Sequence, residues 1–299
     1  MEYIAGVDAG GTKTSILCMD REGQIIDSKK FGPFNLNSIG EEKFKELLVE
    51  IGDYLNDLGD CKALCIGAAG VSNQKMRDLV ETELKNKGIL NYKLVGDEEI
   101  ALWGALDGKP GISVVAGTGS VCCGKNLKSE FITVGGWGHL LGDEGSGYAI
   151  GRDAIKAVIA IMDGYGEKTR LEYAVKEKFD LDSRRKIIEY VYNNNKSSVA
   201  AIAKTVLDEA QNGDKVSIEI LQRNAKELCR QIGALKEKLS LKECEVALLG
   251  GLLENDTLYR KYLVDEINNI SGLSCVTPKQ SALMGACMMA LGDYKNGIK

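Results

Sequence analysis

The feature that most constrains the fold is a pattern that the sequence contains twice: an apolar run, a glycine turn and a second apolar run. The first copy joins residues 3–7 to residues 15–19 through DAGGTKT, and the second begins at Gly111 with GISVVAGTGS. Short runs of this kind are typical of strands, and a glycine turn between two of them predicts an antiparallel hairpin. Because helical patterns follow each group of strands, we predict an α/β protein made of two related halves.

The two halves are expected to form two lobes. We place the N-terminal lobe at residues 1–109 and the C-terminal lobe at residues 110–299. The second lobe contains a mainly helical stretch at about residues 146–239. A closing helix at about residues 279–292 carries small residues that suit close helix packing, so it could pack back on the N-terminal lobe.

The composition narrows the class of partner. The chain of 299 residues has 38 basic and 43 acidic side chains, mixed along its length, and a net charge of −5. It lacks the basic stripe that nucleic acid or an anionic membrane requires, so we expect a small-molecule partner.

The N-terminal residues show no secretory signal and no apolar stretch approaches the ~20 residues of a membrane span, so we expect a cytoplasmic protein. The nine scattered cysteines favour reduced core thiols, and the single histidine excludes a histidine-rich metal site.

The first glycine turn has the residue types of a phosphate loop. Bare backbone at a glycine pair lets successive N–H groups approach phosphate oxygens, and neighbouring hydroxyls and a lysine add to the attraction. The residues concerned are Gly10, Gly11, Thr12, Lys13 and Thr14. Asp8, just before them, could hold a magnesium ion through water. A tight hairpin turn without a ligand stays open as the alternative for this motif alone.

The second glycine turn repeats the arrangement with Gly117, Thr118, Gly119 and Ser120. Two such hairpins from related halves could hold one polyphosphate from opposite sides, which favours phosphate binding over a simple turn. The overlapping stretch GSVCCGKN nearly matches the P-loop pattern GxxxxGK[ST], but Asn126 stands where a hydroxyl residue is required and a strand is predicted around it. We therefore exclude a P-loop. The sequence also has no GxGxxG between a strand and a helix, so a dinucleotide fold has no support.

Three further motifs place polar groups or bare backbone at the ends of predicted elements. GGWGHLLGDEGSGYAIG, which begins at Gly135, is too irregular for a core and indicates a ligand loop, with a rigid structural loop as the alternative. Asp97 follows a strand at the start of a helix, where it either caps the helix or acts as a general base in phosphoryl transfer. Gly250 and Gly251 follow another strand, where bare backbone could lie against a flat purine.

Six segments, taken in order, carry a resemblance: GVDAGGTKT, GDEEIALWGAL, VVAGTGS, GGWGHLLGDEGSGYAIG, LLGG and QSALMGA. They resemble the N-acetylglucosamine kinase family, one of the BadF/BadG-type ATPases of the sugar kinase, actin and heat-shock chaperone superfamily. The resemblance runs over nearly the whole chain, and the GGWG…GDEGS segment is its most specific part. It implies a ribonuclease H-like, actin- or hexokinase-type bilobal fold, with two βββαβαβα-type domains and a central cleft for ATP and sugar.

The activity that the resemblance implies is transfer of the γ-phosphate of ATP, with Mg²⁺, to the 6-hydroxyl of an N-acetylated amino sugar, N-acetylglucosamine or N-acetylmuramic acid. It also implies a homodimer. Matched position by position, Asp97 resembles the catalytic base of the family. The sugar-contacting positions would be Asn35, Asn37, Asp97, Gly136, Trp137, Gly138 and Asp143. The ATP-binding positions would be Gly10, Gly11, Thr12, Lys13, Thr14, Gly117, Thr118, Gly119, Ser120, Gly250 and Gly251, with magnesium at Asp8.

Other functions stay open beside this one. A glucosamine kinase would use the same phosphate loops, because the acetamido pocket has no sequence signature. An iron–sulfur-dependent activator ATPase of the same superfamily would use the cysteines, although such an activity has no need of a sugar loop. A sensor that binds nucleotide and sugar without transfer would not need Asp97. The chain lacks the CxCGxxGC zinc motif of ROK-type sugar kinases, which argues against that branch.

Overall fold

The computed structural model describes residues 1–295, and the chain divides into two compact units. The first unit comprises Met1–Lys109 and the segment that begins at Pro278. The second unit comprises Pro110–Thr277. Each unit is built around one five-stranded sheet.

The first unit combines strands and helices in alternation after an initial run of three strands. Its strands are β1 (Glu2–Ala9), β2 (Thr14–Met19), β3 (Ile25–Phe31), β4 (Asp60–Ala68) and β5 (Tyr92–Val95). Its helices, numbered along the chain, are α1 (Leu36–Ile39), α2 (Glu41–Leu58), α3 (Gln74–Asn86), α4 (Asp97–Leu106) and α11 (Ala282–Lys295).

The sheet of the first unit is covered on both faces. Its strand order is β3-β2-β1-β4-β5, in which β1, β2 and β3 are antiparallel neighbours and β4 and β5 continue parallel to β1. Successive side chains of a strand point to opposite faces. Tyr3, Ala5 and Val7 pack with α2 and α3, whereas Ile4 packs with α4 and α11. The apolar run of β1 is continuous because both of its faces are buried.

The second unit begins with three strands and continues with a helical stretch. Its strands are β6 (Gly111–Ala116), β7 (Ser120–Lys125), β8 (Phe131–Gly135), β9 (Cys244–Leu249) and β10 (Leu273–Val276). Its helices are α5 (Gly147–Met162), α6 (Arg170–Phe179), α7 (Arg184–Asn193), α8 (Lys196–Gln211), α9 (Lys215–Leu239) and α10 (Leu258–Asn268).

The sheet of the second unit has the order β10-β9-β6-β7-β8. Strands β6, β7 and β8 are antiparallel neighbours, while β9 lies parallel to β6 and β10 parallel to β9. Helix α9 contributes one buried stripe to the core of this unit, namely Ile220, Ala225, Leu228, Ile232, Leu235 and Leu239. From Ala225 onward, spacings of three and four residues keep these side chains on one face of the helix.

The two sheets share one strand order and one pattern of pairing. In each, three antiparallel strands are followed by two parallel ones, which is the ribonuclease H-like arrangement, so the predicted fold class is confirmed. The stretch GSVCCGKN lies largely in strand β7, in agreement with the exclusion of a P-loop. Strand β10 is not predicted from the sequence.

The cysteines belong to the packing of the protein. All nine are free of disulfides, and seven of them are buried. Burial raises the pKa of the Cys18 and Cys229 thiols to about 11, so both are neutral at physiological pH and behave as small apolar side chains. Among the helices of residues 1–295, none combines the length and the apolar character that crossing a bilayer demands.

Helices α4 and α11 approach each other at glycines. A Cβ atom on Gly285 would lie 2.0 Å from the carbonyl oxygen of Ile100 and 2.5 Å from the backbone nitrogen of Gly104. A Cβ atom on Gly104 would lie 2.1 Å from the carbonyl oxygen of Ser281. Backbone atoms cannot rotate out of the way as side chains can, so both positions require glycine. The small residues of the closing helix therefore serve close packing, as the sequence predicts.

Replacing Gly285 with alanine should destabilise the first unit. The added methyl group meets the backbone of α4, and overpacking of this kind costs about 1–3 kcal/mol or more. Gly292→Ala is the matched control, because Gly292 lies on the same helix and an added Cβ there has no heavy atom within 4 Å. Helix propensity should make that variant neutral or more stable by up to about 1 kcal/mol. Urea unfolding followed by circular dichroism measures both, and equal midpoints would contradict the packing argument.

Candidate active site

The first glycine loop joins β1 to β2 at the end of the hairpin. The backbone N–H of Gly10 donates to the carbonyl of Lys13 (3.0 Å), and the carbonyl of Gly10 accepts from the N–H of Phe34 (3.0 Å). Gly11, Thr12 and Lys13 are exposed, so their backbone and side chains are open to a ligand. Backbone hydrogen bonds thus fix the two ends of the loop, while the residues at its tip stay accessible.

Thr14 differs from its neighbours in this loop. Its side chain is fully buried, and its hydroxyl donates to the carbonyl of Gly32 at 2.8 Å. The hydroxyl therefore fixes the end of the hairpin to the chain that follows β3. This corrects the expectation that Thr14 offers a free hydroxyl beside that of Thr12.

Two carboxylates of the first unit act on each other. Asp8 lies near the end of β1, in register with Gly67 of β4, and Asp97 is the first residue of α4. Burial and the negative charge of Asp97 raise the pKa of Asp8, while Lys13 opposes the shift. The structure thus brings Asp8, Lys13 and Asp97 into one electrostatic site.

Asp97 does not cap helix α4. The N-cap is Gly96, and no side chain makes a capping hydrogen bond there. The capping alternative for Asp97 is therefore wrong, and its carboxylate is left for another role. Asp97 and the two glutamates after it lie in the first turn of the helix, where the helix dipole favours negative charge.

Glu98 is part of this site and is not predicted from the sequence. Its carboxyl group folds back over Gly96, because a Cβ on Gly96 would lie 2.4 Å from Oε1 and 2.6 Å from Oε2 of Glu98. The same carboxyl hydrogen-bonds the side chain of Asp97. Burial, followed by this hydrogen bond, raises the pKa of Glu98 to about 7. The only sequence signal is the run DEE, which is equally typical of a solvated first turn.

Asn35 stands beside the first glycine loop. Its Oδ1 accepts from the backbone N–H groups of Asn37 (3.1 Å) and Ser38 (3.2 Å), which makes it the N-cap of α1. Its Nδ2 is directed to Gly11, where an added Cβ would lie 3.8 Å away. The amide oxygen of Asn35 is thus committed to the local turn, and its amide nitrogen faces the loop.

A polar cavity of about 350 Å³ opens next to Asn35 in the first unit. Its lining residues are Asn35, Leu36, Asn37, Ala69, Gly70, Ser72, Asn73 and Met76. None of these carries a charge. The segment between β4 and α3 is not predicted as functional. It does contain a glycine just after a strand, as both glycine loops do: Gly70 has a φ of 75°.

The second glycine loop is tied to the GDEGS segment within the second unit. The N–H of Gly147 donates to the carbonyl of Gly117 (2.8 Å), and the N–H of Tyr148 donates to the carbonyl of Thr118 (3.2 Å). The hydroxyl of Ser120 donates to the carbonyl of Glu144 at 2.8 Å. These bonds make the two motifs one structural element, and they commit the Ser120 hydroxyl to backbone rather than leaving it free.

Asp143 is held against the second glycine loop. Its backbone adopts a positive φ of 60°, and the residue is only 4% exposed. A Cβ on Gly119 would lie 2.7 Å from Oδ2 of Asp143, so the glycine is required by this carboxylate. The structure therefore brings Gly119 and Asp143 together, as a shared ligand site would require.

The GGWG turn before Asp143 is exposed. Gly136 and Gly138 have φ of 71° and 81°, and between them the Trp137 side chain is 75% exposed. His139 packs its ring edge against Tyr148, with ring centroids 4.8 Å apart. Trp137 is thus an accessible aromatic surface on an anchored loop.

The two glycines after β9 have different environments. Gly250 has φ of 89°, and a Cβ on it would lie 2.5 Å from the carbonyl oxygen of Ala116, so packing alone requires glycine there. Gly251 has open space beside it and lines a cavity of about 560 Å³ formed with α8 and the loop that precedes α10. A flat ligand has room at Gly251.

Comparison with known proteins places this geometry in a family. The family described as BadF/BadG/BcrA/BcrD ATPase matches residues 5–290. The chain is 34% identical to the N-acetylmuramic acid/N-acetylglucosamine kinase of Clostridium acetobutylicum, over 98% of this chain and 99% of that protein. It is 31% identical to the N-acetyl-D-glucosamine kinase of Dictyostelium discoideum, again over 98% and 99%. A solved Chromobacterium violaceum structure, described provisionally as an N-acetylglucosamine kinase, matches with a TM-score of 0.74 at 25% identity, over 97% of this chain and 98% of that one. The chain belongs to the BadF/BadG/BcrA/BcrD ATPase family.

Proposed function

We propose that this protein is an ATP-dependent kinase that phosphorylates the 6-hydroxyl of an N-acetylated amino sugar, N-acetylglucosamine or N-acetylmuramic acid. The observation that carries the proposal is the carboxylate of Asp97. It lies at the start of α4, makes no capping hydrogen bond to the helix, and interacts electrostatically with Asp8, which in turn interacts with Lys13. Membership of an ATPase family and two named amino-sugar kinases at above 30% identity support the same activity. We also propose that the enzyme is cytoplasmic, and that it is a homodimer, as its resemblance to the family implies.

Each unit contains one glycine loop that suits the phosphates of ATP. In the first, the exposed backbone of Gly11 and Thr12 would donate to phosphate oxygens, and Lys13 would neutralise charge. In the second, Gly117, Thr118 and Gly119 offer backbone next to the anchored Asp143. The purine is assigned to the cavity beside Gly251, with Gly250 shaping the turn and Thr14 and Ser120 supporting the loops.

Magnesium fits at Asp8. The ion binds hard oxygen ligands, commonly one or two carboxylates together with substrate phosphates, and Asp8 supplies half-buried carboxylate oxygens. Burial first, and the negative charge of Asp97 second, raise the pKa of Asp8, and a bound cation would favour its ionised form. Bound there, the ion would neutralise charge on the phosphates during transfer.

Asp97 is the proposed general base. A primary alcohol is a poor nucleophile until its proton is accepted, so Asp97 would take the proton of the 6-hydroxyl as its oxygen attacks the γ-phosphorus. The bond between O6 and phosphorus forms while the bond from phosphorus to the β,γ-bridging oxygen breaks, and ADP leaves. Lys13 and the loop N–H groups stabilise the charge that develops on the phosphoryl oxygens.

Each unit contains residues that suit contact with a sugar. The uncharged cavity at Asn35 and Asn37 suits an acetamido group, which needs hydrogen bonds but no counter-charge. An ammonium group, as in glucosamine, would lack a carboxylate among the lining residues. Trp137, with Gly136 and Gly138 on either side, offers an aromatic face to the sugar ring, and Asp143 offers carboxylate oxygens to its hydroxyls.

Asp97→Asn should abolish phosphoryl transfer while leaving sugar binding nearly intact. Loss of a general base costs about 10²- to 10⁴-fold in kcat, whereas the amide keeps the shape of the side chain. Coupled ADP release measures kcat, and calorimetry measures sugar affinity. The matched control is Asp107→Asn at the other end of α4, where an exposed residue with φ of 56° tolerates asparagine. Unchanged turnover in Asp97→Asn would show that another group is the base.

The charge of the polar cavity should set the choice between acetylated and free amino sugars. We expect kcat/KM for N-acetylglucosamine to exceed that for glucosamine, and Ser72→Asp to shift their ratio toward glucosamine by about tenfold, because a carboxylate in the cavity attracts an ammonium group. Ser197→Asp, at an exposed position in helix α8, adds the same charge elsewhere and should leave the ratio unchanged. A preference of the parent enzyme for glucosamine, with no response to Ser72→Asp, would overturn the assignment of the cavity.

A further inference from the structure

Glu98 has no role in the proposed transfer of the phosphoryl group, yet it lies next to the proposed base. Residues that are adjacent on a helix normally point in different directions. At the start of α4 the Glu98 side chain instead turns back over Gly96 and meets the side chain of Asp97. A side chain on residue 96 would occupy the place of the Glu98 carboxyl group, so the glycine permits this arrangement.

We propose that Glu98 is a positioning residue that holds Asp97 in its working orientation by donating a hydrogen bond from a protonated carboxyl group. The inference rests on the proposed function, because Asp97 matters only if it is the base. A carboxylate has two oxygens. With one oxygen of Asp97 held by Glu98, the other is left for the proton of the sugar hydroxyl.

The surroundings of Glu98 favour the protonated form. Burial is the largest effect on its pKa, followed by the hydrogen bond to Asp97 and the negative charges of Asp97 and Glu99, and only its own backbone N–H acts in the opposite direction. Asp8 from β1 adds negative charge at Asp97, partly balanced by Lys13. With a pKa of about 7, Glu98 keeps its proton below neutral pH and loses it as the pH rises above 7.

The proton of Glu98 is not consumed in the reaction. The proton that leaves the sugar hydroxyl goes to Asp97, while the Glu98 proton stays in the hydrogen bond between the two acids. When Glu98 ionises, it can no longer donate, and two carboxylates then repel each other at the site. The positioning effect is therefore present at low pH and lost at high pH.

Glu98→Gln separates hydrogen bonding from titration. Glutamine donates from its amide group at every pH, so its kcat should lie within about threefold of the parent enzyme at pH 6. The ratio of kcat for Glu98→Gln to kcat for the parent should then rise by about fivefold or more between pH 6 and pH 8.5, because only the parent loses the donated bond. Glu98→Ala should lower kcat by about tenfold or more at pH 6, with little change in KM for the sugar.

Asp107→Asn is the control for a change of charge on the same helix. It removes one negative charge at the exposed far end of α4, away from Glu98 and Asp97, so its kcat ratio to the parent should stay constant with pH. A Glu98→Gln ratio that is constant within twofold from pH 6 to pH 8.5 would overturn the proposal. A Glu98→Ala variant as active as the parent would do the same.

A direct titration tests the pair independently of turnover. Carbon-13 NMR of the Glu98 side-chain carboxyl should give a midpoint near 7 in the parent protein, and the midpoint should fall by about one pH unit or more in Asp97→Asn, where the negative charge is gone. A parent midpoint near 4.5 would overturn the inference. Absence of phosphoryl transfer to every sugar would instead overturn the proposed function, and this titration would still report whether the two acids share a proton.

Discussion

The polar groups of each unit depend on one steric constraint: at the ends of strands, neighbouring atoms occupy the space that a side chain would fill. At Gly96 that space holds the carboxyl group of Glu98, and at Gly119 it holds the carboxylate of Asp143. At Gly250 it holds the carbonyl of Ala116. Any larger residue at these three positions would displace either an acid of the site or the backbone of a neighbouring strand. The glycines therefore fix where the acids lie, beyond allowing the chain to turn.

The topology explains why these positions cluster within each unit. In the first unit β1, β4 and β5 run parallel, so their carboxyl ends meet at one edge of the sheet. Three features lie at that edge: Asp8, the segment after β4 that lines the polar cavity, and Asp97. In the second unit β6 and β9 run parallel in the same way, which sets the glycine loop after β6 beside the glycines after β9. Each unit thus collects its polar groups at one end of an apolar sheet.

The sequence was sufficient for most of the strands and helices, though not for β10, and for the positions of the loops, because hydrophobic period and glycine turns are local signals. It also pointed to Asp97 as more than a helix residue. The roles of individual hydroxyls could not be predicted, since Thr14 and Ser120 look like ligand groups in sequence and donate to distant carbonyls in the structure. The polar cavity was missed because its lining comes from two separate segments, residues 35–37 and 69–76, that only tertiary structure brings together. Glu98 was missed because a fold-back over Gly96 depends on backbone geometry that residue type does not encode.

Glu98 and Asp97, the two acids at the start of α4, meet two opposing requirements of a general base: it must be held in place and it must stay basic. Asp97 must be ionised to accept a proton, yet it lies in a half-buried site with Asp8, where two negative charges already oppose each other. An arginine or lysine would hold it firmly, but a full positive charge beside a carboxylate lowers its pKa by about 1–3 units and weakens it as a base. A neutral carboxyl group donates one hydrogen bond and adds no net charge, so it orients Asp97 at a smaller loss of basicity. The burial that makes Glu98 costly to ionise is therefore the property that suits it to this position.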